Sequence, residues 1–185
     1  MITPTFGISD YLATDAHRGP RTDTECLRYR LEVVATSAVD VVHAAGGWLY
    51  DRVTAGWEVT VLLPGGDRTR PLAILGARAA DLETGLTESR PWGPRGQSLA
   101  VSAGAFAADD RVRDRVLEAL EHRSGEVALW GDEWPWGLNR AIGPVQHVLS
   151  SAARAFKRQA LKAAGIRCGS VESVETLFSD TRWWG

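Results

Sequence analysis

The stretch from residue 31 to residue 64 constrains the fold most, because it reads in turn as a strand, a helix and a strand. Residues 31–36 are few and rich in β-branched side chains, which suits a buried strand. Ser37 can cap a helix whose apolar residues recur every three to four positions, and Gly56 can end it. The apolar run at residues 57–63 then completes the unit. A helix that leads back into a strand in this way predicts a crossover between parallel strands.

The junction between this helix and the second strand resembles that of Rossmann-like nucleotide and sugar-nucleotide enzymes. The similarity lies in residues 55–62, Ala-Gly-Trp-Glu-Val-Thr-Val-Leu. It implies a fold and not an activity, because these residues carry no catalytic group. The sequence has neither Gly-x-Gly-x-x-Gly after the first strand nor a phosphate-binding Gly-Lys-Ser/Thr. Both familiar nucleotide-binding motifs are therefore absent.

Gly46 and Gly47 lie inside the predicted helix, where each glycine costs about 1 kcal/mol relative to alanine. One interpretation is close packing of the helix on the sheet. The other is a break in the helix that exposes backbone amides to an anion. We prefer close packing.

A second strand-helix-strand unit repeats the pattern of the first. Residues 98–102 predict a strand, Asp109 or Asp110 can cap the helix that follows, and Gly125 can end it. Residues 126–130 then return as a strand. Two such units predict an α/β three-layer sandwich with a mostly parallel or mixed Rossmann-like sheet of about five strands.

The segment between the two units is less regular. Residues 71–76 predict a strand that pairs with the first as a hairpin, and residues 78–86 predict a short helix. Proline and glycine are frequent in residues 87–97, which therefore predict the longest irregular loop. Such a loop is either a lid or a surface excursion, and the second is commoner.

A chain of 185 residues with 44% hydrophobic content suits one domain with a sizeable core. We predict an N-terminal arm at residues 1–21, a single domain at 22–167 and a C-terminal tail at 168–185. The cysteines, Cys26 and Cys168, are too far apart in sequence to indicate a disulfide framework or a zinc site, so no metal is predicted.

The sequence has no run of about 18 apolar residues and does not begin like a secretion signal. These features predict a cytoplasmic protein with no membrane span. Arginine far outnumbers lysine, a bias that favours a high-GC bacterial source. The sequence identifies no cofactor.

The loop at residues 131–137 follows the last predicted strand, where ligands bind in open α/β sheets. Asp132 is the first catalytic candidate and Glu133 the second, since carboxylates can move protons or bind metals. Indoles can stack on a sugar or a base. The ligand-binding candidates are Trp130, Trp134 and Trp136. The blander alternative, which we prefer, is that the indoles cover the sheet edge and the acids are solvated.

The four histidines, His17, His43, His122 and His147, show no metal-binding spacing. None of them adjoins a serine in a nucleophile motif. The sequence therefore shows no catalytic constellation.

A basic amphipathic helix is predicted from Pro144 to Gly165. Residues 140–167 contain six basic residues and no acidic one. The predicted exposed face consists of Arg154, Lys157, Arg158 and Lys162. It is either a solvated face or a surface for an acidic protein, with nucleic acid as a third alternative.

The last predicted feature is an aromatic tail. Residues 171–178 have apolar side chains at helical spacing, and Trp183 and Trp184 follow. These indoles either fold back on the domain or bind another chain, since soluble monomers avoid exposed apolar patches.

Our main functional hypothesis is an interaction or regulatory domain that acts through the basic helix and the aromatic tail on an acidic protein or by self-association. The alternative is an enzyme that binds a nucleotide or a sugar in a pocket at the loop after the last strand.

Overall fold

The computed structural model describes residues 29–66, 69–88, 97–122, 125–131, 142–167 and 169–180. Within these ranges the chain forms seven strands and six α-helices. The strands are β1 Arg30–Val34, β2 Glu58–Leu63, β3 Arg78–Asp81, β4 Gln97–Ser102, β5 Val127–Trp130, β6 Ile142–Val148 and β7 Val174–Asp180. The helices are α1 Ala38–Thr54, α2 Arg70–Ile74, α3 Leu82–Glu88, α4 Ala103–Ala108, α5 Asp110–His122 and α6 Ser151–Ala163.

The seven strands form one mixed sheet in the order β3-β2-β1-β4-β5-β7-β6. The first five are parallel to one another, whereas β7 is antiparallel to both of its neighbours. Helices α1, α2 and α6 cover one face of the sheet and contribute to one apolar cluster. Helices α3, α4 and α5 contribute to a second cluster on the other face. The predicted three-layer, mostly parallel α/β sandwich is confirmed, with seven strands rather than five.

The predicted hairpin strand at residues 71–76 is wrong. Pro71 lies in the first turn of α2, where a fixed φ and a missing N–H suit a helix. Gly76 adopts a φ of 78° just after that helix, so the chain turns into β3. Strand β3 therefore joins β2 in parallel, and the predicted helix at residues 78–86 is a strand followed by α3.

The predicted long helix from Pro144 to Gly165 begins too early. Pro144 lies in β6, which is the last strand in the sheet order and pairs with β7. An edge strand tolerates proline because one side of its backbone needs no ladder partner. Helix α6 begins only after Ser150, whose Oγ accepts the N–H of Ala153.

The segment predicted as a C-terminal tail contains a central strand. Residues 174–180 form β7, which lies between β5 and β6, so the helical spacing predicted for residues 171–178 is wrong. The predicted N-terminal arm and residues 181–185 lie outside the described residues. Within the part of the chain that the structure describes, no helix is both long and apolar enough to span a membrane.

Candidate functional site

The order of the parallel strands reverses between β1 and β4, whose carboxyl ends form a switch point of the sheet. Strands β2 and β3 lie on one side of β1, and β4 and β5 on the other. Open α/β sheets bind ligands at such a switch point. The first turn of α4 lies close to the turn after β1, since a Cβ atom at Gly104 would lie 2.9 Å from Thr36 Cγ2.

Asp40 supplies a carboxylate at this switch point. It lies in the first turn of α1, whose N-cap Ser37 accepts the N–H of Asp40 at 3.2 Å. The indole Nε1–H of Trp130 donates to Asp40 Oδ1 at 3.0 Å. The hydroxyl of Thr36 donates to Oδ2 at 3.1 Å. The carboxylate of Asp40 is thus held by Thr36, in the loop before α1, and by Trp130, at the end of β5.

This arrangement can exchange a proton or accept a ligand's hydrogen bond. Asp40 is half-buried, and each of its oxygens accepts one hydrogen bond from the described side chains, whereas a carboxylate oxygen can accept two. Thr36 is exposed beside it, whereas Ser102 is buried and its Oγ accepts the N–H of Ala105 as the cap of α4. Within the described part of the chain, the switch point therefore offers a supported carboxylate and its neighbouring hydroxyl.

Asp81, at the carboxyl end of β3, serves the backbone rather than a ligand. Its Oδ1 accepts the N–H of Thr84 at 3.0 Å and the hydroxyl of Thr84 at 3.3 Å. The backbone hydrogen bond from Thr84, followed by the hydroxyl, holds the pKa of Asp81 below its usual range. Asp81 thus stabilises the first turn of α3.

The described residues do not provide a metal centre. Catalytic zinc takes three protein ligands in addition to water or substrate. Across the described ranges, no three His, Cys, Asp or Glu side chains cluster closely enough to hold a metal ion. The described donors around Asp40 therefore do not by themselves complete a ligand set for a metal-activated water.

Most of the predicted loop site lies outside the described residues. This applies to Asp132, Glu133, Trp134 and Trp136, and also to Trp183 and Trp184. Trp130 is described, and its side chain is 2% exposed within the core. Its indole therefore supports Asp40 rather than offering an open ring face.

The four basic side chains predicted to share the exposed face of the helix do not all lie on it. Lys157 points inward and is 7% exposed, and Arg154 is half-buried. Arg158 and Lys162 are exposed as predicted. The buried stripe of α6 consists of Ala153, Lys157, Ala160 and Leu161. A buried lysine was assigned to the surface because its partner, Glu175, is 18 residues further along the chain.

The structure also brings together an acid, a histidine and a serine that the sequence did not connect. Asp51 Oδ2 lies 2.9 Å from His147 Nε2, and the hydroxyl of Ser150 donates to Asp51 Oδ1 at 2.7 Å. A nucleophilic serine needs the histidine to take its proton. Here Asp51 lies between the two, so the trio fixes the start of α6 and does not activate a nucleophile.

Asp40 is the site residue that our sequence analysis missed. It was not among the candidate residues predicted from the sequence. The signal that could have identified it is an acid in the first turn of the helix that directly follows the first strand. Its support could not be foreseen, because Trp130 is 90 residues away in sequence.

No family model and no curated protein matches the sequence. Solved structures do match in fold. The A40926 pseudoaglycone deacetylase aligns with 74% of this chain and 81% of its own, at 20% identity and a TM-score of 0.50. A deacetylase–teicoplanin complex from teicoplanin biosynthesis aligns with 81% of this chain and 97% of its own, at 12% identity and a TM-score of 0.54. A zinc-inhibited form of teicoplanin deacetylase gives 14% identity, the same coverage and a TM-score of 0.53.

These similarities show that the fold of the chain is similar to that of these solved structures. They also correct our main functional hypothesis. The hypothesis of an interaction or regulatory domain is wrong, because the solved structures with this fold are enzymes. The comparisons favour the alternative hypothesis, an enzyme that binds a small molecule, either a nucleotide or a sugar.

Proposed function

We propose that the chain is an enzyme that acts on a sugar conjugate and removes an acyl group from it, with the substrate bound at the switch point between β1 and β4. The observation that carries this proposal is the placement of Asp40 at the switch point, supported by Trp130 and Thr36. The shared fold with teicoplanin and A40926 deacetylases supports the choice of substrate class.

Asp40 is the proton carrier in the proposed reaction. Water attacks the amide carbonyl while Asp40 accepts a proton from it, so the new carbon–oxygen bond forms without a free hydroxide. The carbon–nitrogen bond then breaks, and Asp40 returns the proton to the leaving amine. The products are a carboxylic acid and a free amine. Trp130 and Thr36 keep the carboxylate oriented through both transfers.

The proposed reaction is assigned to side chains in the described part of the chain. One of the similar structures is a zinc-inhibited form of teicoplanin deacetylase. In this chain the described side chains do not supply a set of three metal ligands. Among these residues, Asp40 is the group that carries the proton in the proposed reaction.

The test is to incubate the full chain with teicoplanin and with N-acetylglucosamine, and to follow release of the free amine by mass spectrometry. Asp40→Asn is expected to slow release by roughly 10²–10⁴-fold, the usual contribution of a general acid–base group. Asp110→Asn is the matched control, because Asp110 is also an acid in a first helical turn but lies in α5. Release by Asp40→Asn at the wild-type rate would refute the proposal, as would the absence of release with both substrates.

A further inference from the structure

A buried ion pair joins α6 to β7 beneath α1. Lys157 Nζ lies 2.5 Å from Glu175 Oε1, and the two side chains are 9% and 3% exposed. Burying two charges is costly unless further hydrogen bonds satisfy them. Those further bonds come from the backbone of α1.

The ion pair binds α1 in the middle of its length. Glu175 accepts the N–H of Gly47 at 2.8 Å and the N–H of Trp48 at 2.7 Å. Lys157 donates to the carbonyl of His43 at 2.7 Å. In an α-helix the N–H of residue 47 is the ordinary partner of the carbonyl of residue 43. The two charges therefore bind both members of one helical hydrogen-bond pair.

This contact requires a close approach that glycine permits. A side chain at Gly47 would lie 2.5 Å from both methyl carbons of Leu149, which is buried. Leu149 follows β6 and precedes α6, so the missing side chain brings α6 near enough for Lys157 to reach α1. The same approach leaves the amide of Gly47 open to Glu175.

The anchored carbonyl is close to the candidate site. His43 is three residues after Asp40, which is less than one helical turn. The N–H groups bound by Glu175 begin seven residues after Asp40, or about 10 Å along the axis. A rotation or slide of α1 at this anchor would therefore move Asp40 relative to Trp130, whose position is set by the sheet.

We infer that Lys157 and Glu175 are positioning residues for Asp40: they hold α1 at the depth and rotation that keep the Asp40 carboxylate within hydrogen-bond distance of the Trp130 indole. The inference deepens the proposed function and rests on it for its biological meaning. The geometry itself can be tested without any substrate.

The experiment follows the indole N–H signal of Trp130 by NMR in the full chain, assigned with Trp130→Phe. In Glu175→Gln and Lys157→Met we expect a changed chemical shift of this proton. We also expect its exchange with solvent to be faster on the order of tenfold, because a hydrogen bond to a charged group is weakened. Lys157→Arg keeps the charge and should restore most of the wild-type signal.

Glu126→Gln is the matched control for loss of a buried acid. Glu126 is buried like Glu175 and also anchors α1, but through Arg52 near the end of the helix. Its loss should leave the Trp130 signal in place. An unchanged signal in a folded Glu175→Gln would overturn the inference, as would an equal change in Glu126→Gln.

Two further results distinguish the positioning role of Lys157 and Glu175 from misfolding of a variant and from the proposed catalytic role of Asp40. If Lys157→Met does not fold, Glu175→Gln decides, because the amide keeps the shape of the side chain and one acceptor oxygen. If Asp40→Asn retains full release while Glu175→Gln still shifts the indole proton, the proposed function fails and the positioning role stands.

Discussion

Gly46 and Gly47 are neighbours on the buried face of α1, yet a side chain would meet different surroundings at each. At Gly46 the nearest atoms, on Leu75 and Val42, would be 3.5 Å away, which is ordinary contact. At Gly47 the methyl groups of Leu149 would be 2.5 Å away. Of the two explanations considered from the sequence, close packing applies at Gly47. Its amide also binds an anion, the carboxylate of Glu175 within the same chain.

The two glycines should therefore respond oppositely to alanine. Gly46→Ala should raise the free energy of unfolding by up to about 1 kcal/mol, because alanine favours the helix and fits the space. Gly47→Ala should lower it by about 1–3 kcal/mol through overpacking against Leu149. Urea denaturation of both variants measures the difference. Equal effects at the two positions would contradict the packing described for Leu149.

At the scale of elements, Asp51 joins α1 to the end of β6 and the start of α6. Burial acts to raise the pKa of Asp51, but the hydrogen bonds from the Ser150 hydroxyl and from His147 outweigh it, and the pKa lies below its usual value. A carboxyl with a lowered pKa in the folded state binds fewer protons there than in the unfolded chain. It stabilises the fold above the unfolded pKa of about 3.9, and this contribution is lost as the pH falls through the folded value.

In Asp51→Asn the free energy of unfolding should therefore fall less steeply as the pH is lowered. The stability difference between the wild type and this variant should be largest at neutral pH and should shrink below about pH 4. Glu126→Gln is the contrast, since burial raises the pKa of Glu126 despite the opposing charge of Arg52. A carboxyl whose pKa is raised in the folded state lowers the free energy of unfolding as the pH rises. The stability of the wild type relative to Glu126→Gln should therefore decrease with rising pH. Urea denaturation at several pH values measures both slopes, and parallel slopes would contradict the assignment.

At the scale of the whole molecule, β7 connects β6 to the parallel part of the sheet. Strand β6 pairs with β7, and β7 pairs with β5 through Leu129 and Phe178. The same strand carries Glu175, which anchors α1. The last part of the chain thus joins an edge strand, a central strand and the helix that bears Asp40.

Truncation after residue 168 should therefore abolish cooperative folding. It removes β7, leaves β6 without a partner strand and leaves Lys157 buried without its counter-charge, which is strongly destabilising. Circular dichroism and thermal unfolding measure the loss. The control removes only residues 181–185 and leaves every described strand intact, so it should unfold cooperatively. A cooperative transition in the longer truncation would show that residues 169–180 are dispensable, as a tail would be.

The sequence by itself determined the first strand-helix-strand unit, the second unit and hence the layered α/β class. These features depend on local patterns, since β-branched runs, three-to-four spacing and helix-ending glycines act within a few residues. The same local reasoning failed where an element is set by its place in the sheet. Residues 142–148 and 174–180 are strands because they pair with each other and with β5, a contact that no short window contains.

Only the tertiary structure decided which polar residues matter. Asp40 gains its role from an indole 90 residues away, and Lys157 is buried because Glu175 meets it from β7. Helical spacing assigned Lys157 to the solvent face, since a lysine without a visible partner is cheapest in water. Burial of a charge depends on a partner brought close in space, and a sequence pattern records neighbours along the chain only. For that physical reason the fold could be predicted from this sequence and the candidate site could not.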